Sequence, residues 1–222
     1  MRFSYLGPWM LERLKASFTV TKEDLGDDAR LKKGPFAFET ESYRVEQHGH
    51  FCILRMKALF GLMKMETVVL AVTERDLPLI NLDRVSVMGK ETQIAELYDT
   101  QLQPWPEERQ AAFRKILDQN ADLPEQGAKA PHWYDVILYP CSCHKAGKGI
   151  AARLDDLARD YASAFLAQMA AAPPCDAAAK KEKVEHYAKT LFSEGGPAVD
   201  MVSKLFGRET AERLILRHMY GV

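Results

Sequence analysis

The segment ERDLPLINLDRV, residues 74–85, places the carboxylate of Asp83 in a run that is otherwise typical of a buried β-strand. Side chains two positions apart on a strand share a face, so Asp83 lies on the same face as Leu79 and Val85. A second acid, Glu66, stands among apolar residues of the preceding predicted strand. Burial raises the pKa of a carboxyl and lets it hold a proton near neutral pH, which is the chemistry of a proton donor.

A structural role is the alternative for Asp83. An acid in a strand is more often paired with a base, and Arg84, Arg75 and Lys64 are all available in the neighbouring sequence. The alternation of the strand does not decide between the two roles. The pattern alone favours the paired, structural acid.

The segment CSCH, residues 141–144, offers thiolate and imidazole groups that bind zinc in other proteins. A tetrahedral site needs a second ligand pair at a recognisable spacing, and only the distant Cys52, Cys175 and His132 are candidates. We therefore predict no metal site and expect reduced thiols. No glycine-rich nucleotide motif, nucleophile elbow or H-E-x-x-H motif occurs, so nucleotide cofactors and familiar hydrolase mechanisms lack support.

The composition is that of one globular domain spanning residues 1–222, with 47% hydrophobic and 27% charged residues. A net charge of −1 excludes a general attraction to nucleic acid or to an anionic membrane. The sequence has no signal-like apolar stretch at its start and no run of 18 apolar residues. We expect a soluble cytoplasmic protein with no nucleic-acid or membrane partner.

Three segments follow one another along the chain. The pattern of residues 1–35 predicts an N-terminal helical flap. Residues 36–140 are predicted to form a mainly antiparallel sheet that ends with a strand at WYDVILYP, and residues 149–222 are predicted to be mainly helical. Short turns between successive strands require antiparallel pairing. The two central strands are almost continuously apolar, which predicts helices on both of their faces. The expected fold class is α+β, a three-layer α/β/α sandwich with a central antiparallel β-sheet.

The segment PCSCHKAGKG, residues 140–149, is rich in glycine and lysine and predicts an exposed loop. Lys145 and Lys148 in this segment, together with Arg153, make a local basic patch on an otherwise neutral protein. We call these three residues the loop patch. On its own, the loop patch is most simply a solvated loop.

Several stretches resemble, in their order and spacing, the ferredoxin-dependent bilin reductases. The similarity spans roughly residues 40–220. Its most specific parts are the strand with the pattern DLP…D and the closing K-x-FG-x-x-x-A-E motif. The stretches are SYRVEQHGHF, KMETVVLAVTERDLPLINLDRV, LYDTQ, PHWYDVILYP and KLFGRETAERLILRHMY.

This resemblance implies an α/β/α sandwich in which a linear tetrapyrrole lies between the sheet and the C-terminal helices. It also implies an enzyme without bound flavin or metal, which takes electrons one at a time from ferredoxin and protons from its side chains. Asp83 falls on the central catalytic aspartate of the family. Glu66 falls where some members place a histidine beside that aspartate, so the two acids are expected to share a proton.

The resemblance also implies partners for the remaining polar residues. Arg84 and Arg55 are expected to bind substrate propionates, and Asn81 and Asp200 to contact the substrate. The loop patch would suit an acidic ferredoxin. The expected function is reduction of a biliverdin-like bilin. A non-catalytic tetrapyrrole carrier on the same fold is the alternative, and a chlorophyll catabolite or another haem-derived product in place of a bilin is a third.

Overall fold

A central antiparallel sheet of eight strands organises the fold, as described by a computed structural model for residues 3–127 and 131–222. The predicted segments 1–35 and 36–140 each include a few residues outside this description. The strands are β1 (Val20–Lys22), β2 (Arg30–Lys33), β3 (Phe36–Val45), β4 (Gly49–Ala58), β5 (Met63–Val72), β6 (Leu79–Val87), β7 (Lys90–Tyr98) and β8 (Cys143–Lys148).

Strands β3 to β7 form a meander in which each strand pairs with the next one in the sequence. The turn between β6 and β7 is the two residues Met88 and Gly89, which have φ values of 49° and 80°. Two successive positive φ values match the right-handed twist of the paired strands, so this turn fixes their register. β8 pairs with β7 at one edge of the sheet, and β1 and β2 share the outer side of β3 at the other.

Helices cover both faces of the sheet, so the predicted three-layer sandwich is confirmed. One face, here called the first face, is covered by α1 to α3, and the other, the second face, by α4 to α6 and a closing π-helical segment, Arg213–Tyr220. None of the helices in the described residues is long and apolar enough to cross a membrane. The helices are α1 (Leu6–Ser17), α2 (Glu107–Gln119), α3 (Ala151–Ala171), α4 (Ala177–Glu194), α5 (Pro197–Phe206) and α6 (Arg208–Glu212).

Each face has its own apolar core. On the first face, Leu14 of α1 and Phe165 of α3 pack in one cluster with Val68 of β5. On the second face, Val184 of α4 and Leu214 join a cluster that contains Val69 of the same strand. Successive residues of a strand point to opposite faces, which explains why an almost continuously apolar strand such as β5 supplies both cores.

Two local predictions are wrong. The predicted strand WYDVILYP is a 3₁₀ turn, Trp133–Ile137, which begins where the His132 N–H donates to Asp135 Oδ2 at 2.8 Å. The predicted loop at 140–149 contains β8, which pairs with β7 in the register Gln93 to Lys145. Edge pairing with an existing strand overrides the weak strand propensity of a glycine- and lysine-rich segment.

The predicted N-terminal flap is also different in the structure. Residues 20–22 and 30–33 are strands that join the sheet, and α1 is packed against the first face rather than lying apart from it. Met10 and Leu14 of α1 are fully buried there.

Glu66 attaches α1 to the sheet. Its Oε2 atom accepts hydrogen bonds from the N–H groups of Leu6 at 2.5 Å and Gly7 at 3.0 Å, and its Oε1 atom accepts one from Arg55 Nε at 3.0 Å. The first N–H groups of a helix have no partner within the helix, so a carboxylate from the sheet satisfies two of them. Burial raises the pKa of Glu66, and the bonds from Gly7, Arg55 and Leu6 counteract that effect.

Glu66→Gln is expected to lower the free energy of unfolding by about 2 to 4 kcal/mol, because Arg55 and the start of α1 lose an anionic acceptor in a buried place. Urea unfolding followed by circular dichroism measures this change. The control is Glu185→Gln, which removes an exposed pair with Lys189 and is expected to leave the unfolding midpoint in place. Equal midpoints for both variants would show that Glu66 does not hold α1.

Candidate functional site

A cavity of about 430 Å³ lies between the second face of the sheet and the C-terminal helices. Its floor is formed by alternate residues of β5, β6 and β7, and its roof by α4, α5 and the closing π-helical segment. Most of the lining is apolar or aromatic, which is usual for sites that hold an extended organic ligand. The lining includes Met63, Met65, Thr67, Asn81, Asp83, Glu96, Tyr98, Tyr134, Tyr187, Leu191, Ile215, Met219 and Tyr220.

Asp83 lies on the floor of this cavity, on the face that borders the C-terminal helices. Its Oδ1 atom accepts a hydrogen bond of 2.5 Å from Thr67 Oγ1, and its Oδ2 atom accepts one of 2.9 Å from Asn81 Nδ2. Thr67 is the register partner of Asp83 on the adjacent strand β5. The cavity position agrees with the expected catalytic placement of Asp83, while its role in catalysis stays a prediction.

A second carboxylate, Glu96 of β7, joins Asp83 on the cavity floor. Asn81 Nδ2, which donates to Asp83, also donates to Glu96 Oε2 at 3.4 Å, so one amide bridges the two acids. Glu96 Oε2 accepts a further bond of 2.5 Å from the Tyr98 hydroxyl, and Glu96 Oε1 is 2.8 Å from Nε2 of His144. The site is therefore a continuous network with two acids.

The hydrogen bonds to Glu96 determine its charge. Burial by itself raises the pKa of Glu96. The hydrogen bonds from His144, Tyr98 and Asn81 lower that pKa by more than burial raises it, so the resulting pKa is below the ordinary value. Burial also raises the pKa of the Tyr98 hydroxyl well above its usual range. Glu96 is therefore an anion at neutral pH, and Tyr98 is a neutral donor to it.

Sequence reasoning missed Glu96 and Thr67. Both follow from the register of the sheet, in which Asn81 pairs with Glu96 and Asp83 with Thr67. Alternation along ETQIAELYD places Glu96 on one face with Thr92 and Ile94, but without the pairing nothing indicates that this face is the one of Asp83.

The expectation that Glu66 lies beside Asp83 is wrong. Glu66 pairs across the sheet with Arg84, and both point to the first face, whereas Asp83 points to the second. Neighbouring residues in a strand have opposite directions, so Arg84 cannot share the cavity with Asp83. The two acids Glu66 and Asp83 therefore have separate surroundings and do not share a proton.

The expected substrate contacts of the two arginines are also wrong. Arg84 is buried on the first face, where it donates to the Ala151 carbonyl at 3.2 Å and lies 3.3 Å from both Glu91 and Asp155. Arg55 is occupied by Glu66 and Glu41 on the same face. These arginines tie strands and helices together.

Of the other expected contacts, Asn81 is in the cavity and bridges the two acids. Asp200 is exposed on α5 and is not among the lining residues, although Val199 and Met201 on either side of it are. Its contact with a substrate is therefore a prediction without support from the geometry of the cavity.

The loop patch does not exist as predicted. Lys145 is buried in β8, where it pairs with Glu125 and donates to the Leu123 carbonyl at 3.3 Å. Arg153 is neutralised by an ion pair with Asp122. Lys148 alone of the three is exposed without an ion pair among the described residues.

The charge of the cavity lining is one-sided. Asp83 and Glu96 are its acids, and no lysine, arginine or histidine occurs among the lining residues in the described parts of the chain. Such a lining suits a ligand that presents N–H groups or a protonated nitrogen to the floor, and it repels an acidic group there.

The cysteines do not take part in this site. Cys141 and Cys143 are free thiols, and burial raises the pKa of each to about 11. A raised pKa keeps a thiol protonated and weakly reactive. Within residues 3–127 and 131–222, no three His, Cys, Asp or Glu side chains converge on a common point that would hold a metal ion.

The chain matches no protein-family model, and the search of curated proteins found no relative. Among solved structures, it is similar to phytochromobilin synthase from tomato, which was crystallised in complex with biliverdin. The two have a TM-score of 0.77 and 15% sequence identity, and the match covers 97% of this chain and 82% of the tomato chain. At this identity the likeness shows a shared fold, so the resemblance inferred from the sequence is confirmed at the level of the fold.

Proposed function

We propose that this protein reduces a linear tetrapyrrole of the biliverdin type. The observation that carries the proposal is a partly buried carboxylate, Asp83, on the floor of a cavity in a fold shared with a protein crystallised in complex with biliverdin. Electrons come one at a time from ferredoxin or a similar small iron–sulfur protein. Side chains of this chain supply the protons.

The cavity has the polarity that an open-chain tetrapyrrole requires. The molecule presents pyrrole N–H groups along its inner edge and carries acidic side chains on its outer edge. The inner edge faces Asp83 and Glu96, which accept hydrogen bonds from N–H groups. Tyr134, Tyr187 and Tyr220 in the roof and at the side offer ring faces for the conjugated pyrroles. The acidic side chains then lie away from the floor.

The residues of the floor control the protons of the reaction. Reduction of one carbon–carbon double bond consumes two electrons and two protons. After the first electron arrives, the tetrapyrrole is a stronger base, and Asp83 gives it a proton held close to the ring nitrogens or the adjacent carbon. Thr67 and Asn81 hold the Asp83 carboxyl in place by their hydrogen bonds to its two oxygens. The exclusion of water by the apolar roof protects the radical from side reactions.

The electron donor docks at the end of the sheet that carries the β6–β7 turn. Lys90 and Lys148 are register partners there, both exposed, and they border a small depression next to the cavity lining residue Val85. Met88 in the turn is also exposed. This combination of two exposed lysines and an apolar side chain suits an acidic donor protein, and it replaces the loop patch as the proposed docking surface.

A second function, binding without turnover, is favoured by one observation. The residues that follow Asp83 across the sheet are Thr67 on β5 and Leu54 on β4, and neither can carry a proton. Without a proton route through β5 and β4, the protein would hold the tetrapyrrole and release it unchanged. The two functions differ in one measurement, the spectrum of bound biliverdin after reduced ferredoxin is added.

Asp83→Asn is expected to retain biliverdin binding within a few-fold and to slow its reduction by about 10²- to 10⁴-fold, because the amide keeps the hydrogen-bonding shape without an acidic proton. Absorbance of the bound bilin under anaerobic conditions, before and after reduced ferredoxin is added, measures both. Asp156→Asn, on the exposed side of α3, is the matched control and should behave as the wild type.

The same experiment separates the alternatives. A wild-type protein that binds biliverdin but leaves its spectrum unchanged with reduced ferredoxin is a carrier. A wild-type protein that does not perturb the spectrum of biliverdin shares only the fold of the tomato protein. If Asp83→Asn loses its folded circular dichroism spectrum, the role of Asp83 is structural.

The double variant Lys90→Glu and Lys148→Glu is expected to raise the KM for ferredoxin about tenfold or more at low salt, because like charges replace an attraction to an acidic donor. Its rate with a small chemical reductant should not change. Lys181→Glu with Lys183→Glu, on the exposed side of α4, makes the same change in net charge and serves as control. Equal KM values for the two double variants would place the docking surface elsewhere.

A further inference from the structure

We infer that Glu96 and His144 form a second proton-delivery site, separate from Asp83, which supplies the other proton of the two-electron reduction. The inference rests on the proposed function and adds two residues that neither the sequence pattern nor the resemblance indicated. Glu96 is the group that touches the substrate. His144 is the positioning residue that refills it from solvent.

The pair connects the cavity with the outside of the protein. Glu96 Oε1 and His144 Nε2 are 2.8 Å apart, and Glu96 lines the main cavity with 7% of its side chain exposed. The His144 side chain is 30% exposed and lines a second, open depression together with Asp118, Glu125 and Gln126. A proton that enters at the depression therefore reaches the cavity through one short hydrogen bond.

The register positions next to Asp83 on β5 and β4 are occupied by Thr67 and Leu54. Thr67 and Leu54, which follow it on β5 and β4, do not titrate near neutral pH. Asn81 touches both acids, but an amide that donates to two carboxylates holds them in place without passing a proton between them. We assign one proton per turnover to each of Asp83 and Glu96, and the contact with His144 supplies the proton of Glu96.

The iron–sulfur donor supplies two electrons in succession, and the tetrapyrrole gains two C–H or N–H bonds to hydrogens that leave Asp83 and Glu96 as protons. The proton that Glu96 delivers comes from His144 Nε2 through the Glu96 Oε1 atom, and His144 then takes a replacement from solvent in the depression. No other oxidant, reductant or leaving group takes part.

The charges around Glu96 determine where the shared proton rests. The lowered pKa of Glu96 leaves its carboxyl ionised before the reduction, so the proton that it delivers must first cross the 2.8 Å contact from His144. A reduced tetrapyrrole on the floor is a stronger base than either partner and draws the proton across. The titratable groups that face Glu96 from the surrounding elements are Asp83, Tyr98, Tyr134, Cys143, His144, Tyr187 and Tyr220.

Glu96→Gln tests the donor. The variant is expected to bind biliverdin with a Kd within about threefold of the wild type and to accept the first electron at an unchanged rate. The second step should slow by about 10²-fold or more. The one-electron-reduced tetrapyrrole then accumulates, which an electron paramagnetic resonance signal and its absorbance report. Single-turnover mixing with reduced ferredoxin resolves the two steps.

His144→Ala tests the refilling route by chemical rescue. This variant is expected to turn over at least tenfold more slowly than the wild type, and added imidazole should restore much of the rate, because the open depression admits it to the vacated place. A series of substituted imidazoles should rescue in the order of their pKa values. His186→Ala, an exposed histidine on α4, should match the wild type and show no response to imidazole.

The outcomes separate the two proposals. If the wild type reduces biliverdin while Glu96→Gln and His144→Ala both keep its rate, the inference is overturned and the proposed function stands. If the wild type binds biliverdin but does not reduce it, the proposed function fails and the inference falls with it. If Glu96→Gln does not fold, the His144→Ala rescue decides alone: rescue supports the inference, and a slow variant without rescue overturns it.

Discussion

The side-chain amide of Asn81 links the two acids of the cavity floor. Asn81 donates hydrogen bonds to both Asp83 and Glu96, so one side chain fixes the position of both carboxyl groups. Thr67 also bonds to Asp83, and Tyr98 and His144 contact Glu96. These four residues stand on β5 to β8, each on the same strand as the acid that it contacts or on an adjacent strand. The register of the sheet therefore determines the geometry of these contacts.

That dependence explains how far the sequence predicts the protein. Hydrophobic periodicity predicts the α/β/α sandwich because burial on two faces leaves a direct trace in the strands. The position of Asp83 on a strand with apolar neighbours is visible in the same way. Glu96 is not visible, because its proximity to Asp83 depends on which residues are opposite each other in β6 and β7. Register is a tertiary property that alternation within one strand does not contain.

The incorrect predictions have the same origin. The resemblance predicts a catalytic role beside Asp83 for Glu66 and a substrate propionate for Arg84, yet both side chains point away from Asp83. The glycine-rich segment around Lys145 predicts a loop, whereas in the structure this segment pairs with the edge strand β7 and forms β8. In both cases the direction of the side chain depends on strand pairing, which the composition of the segment does not reveal.

The two walls of the cavity come from distant parts of the chain, which has a consequence for how a ligand enters. The floor belongs to a meander whose strands pair with their sequence neighbours, and the roof belongs to helices held by side-chain packing and by side-chain hydrogen bonds such as that from Lys180 to the Thr100 carbonyl. Local opening in proteins follows the weaker contacts, so α5 and the segments beside it can swing outward while the hydrogen-bonded strands stay closed. Such opening of the roof would let a bulky ligand enter the cavity while Asp83 and Glu96 keep their positions on the floor.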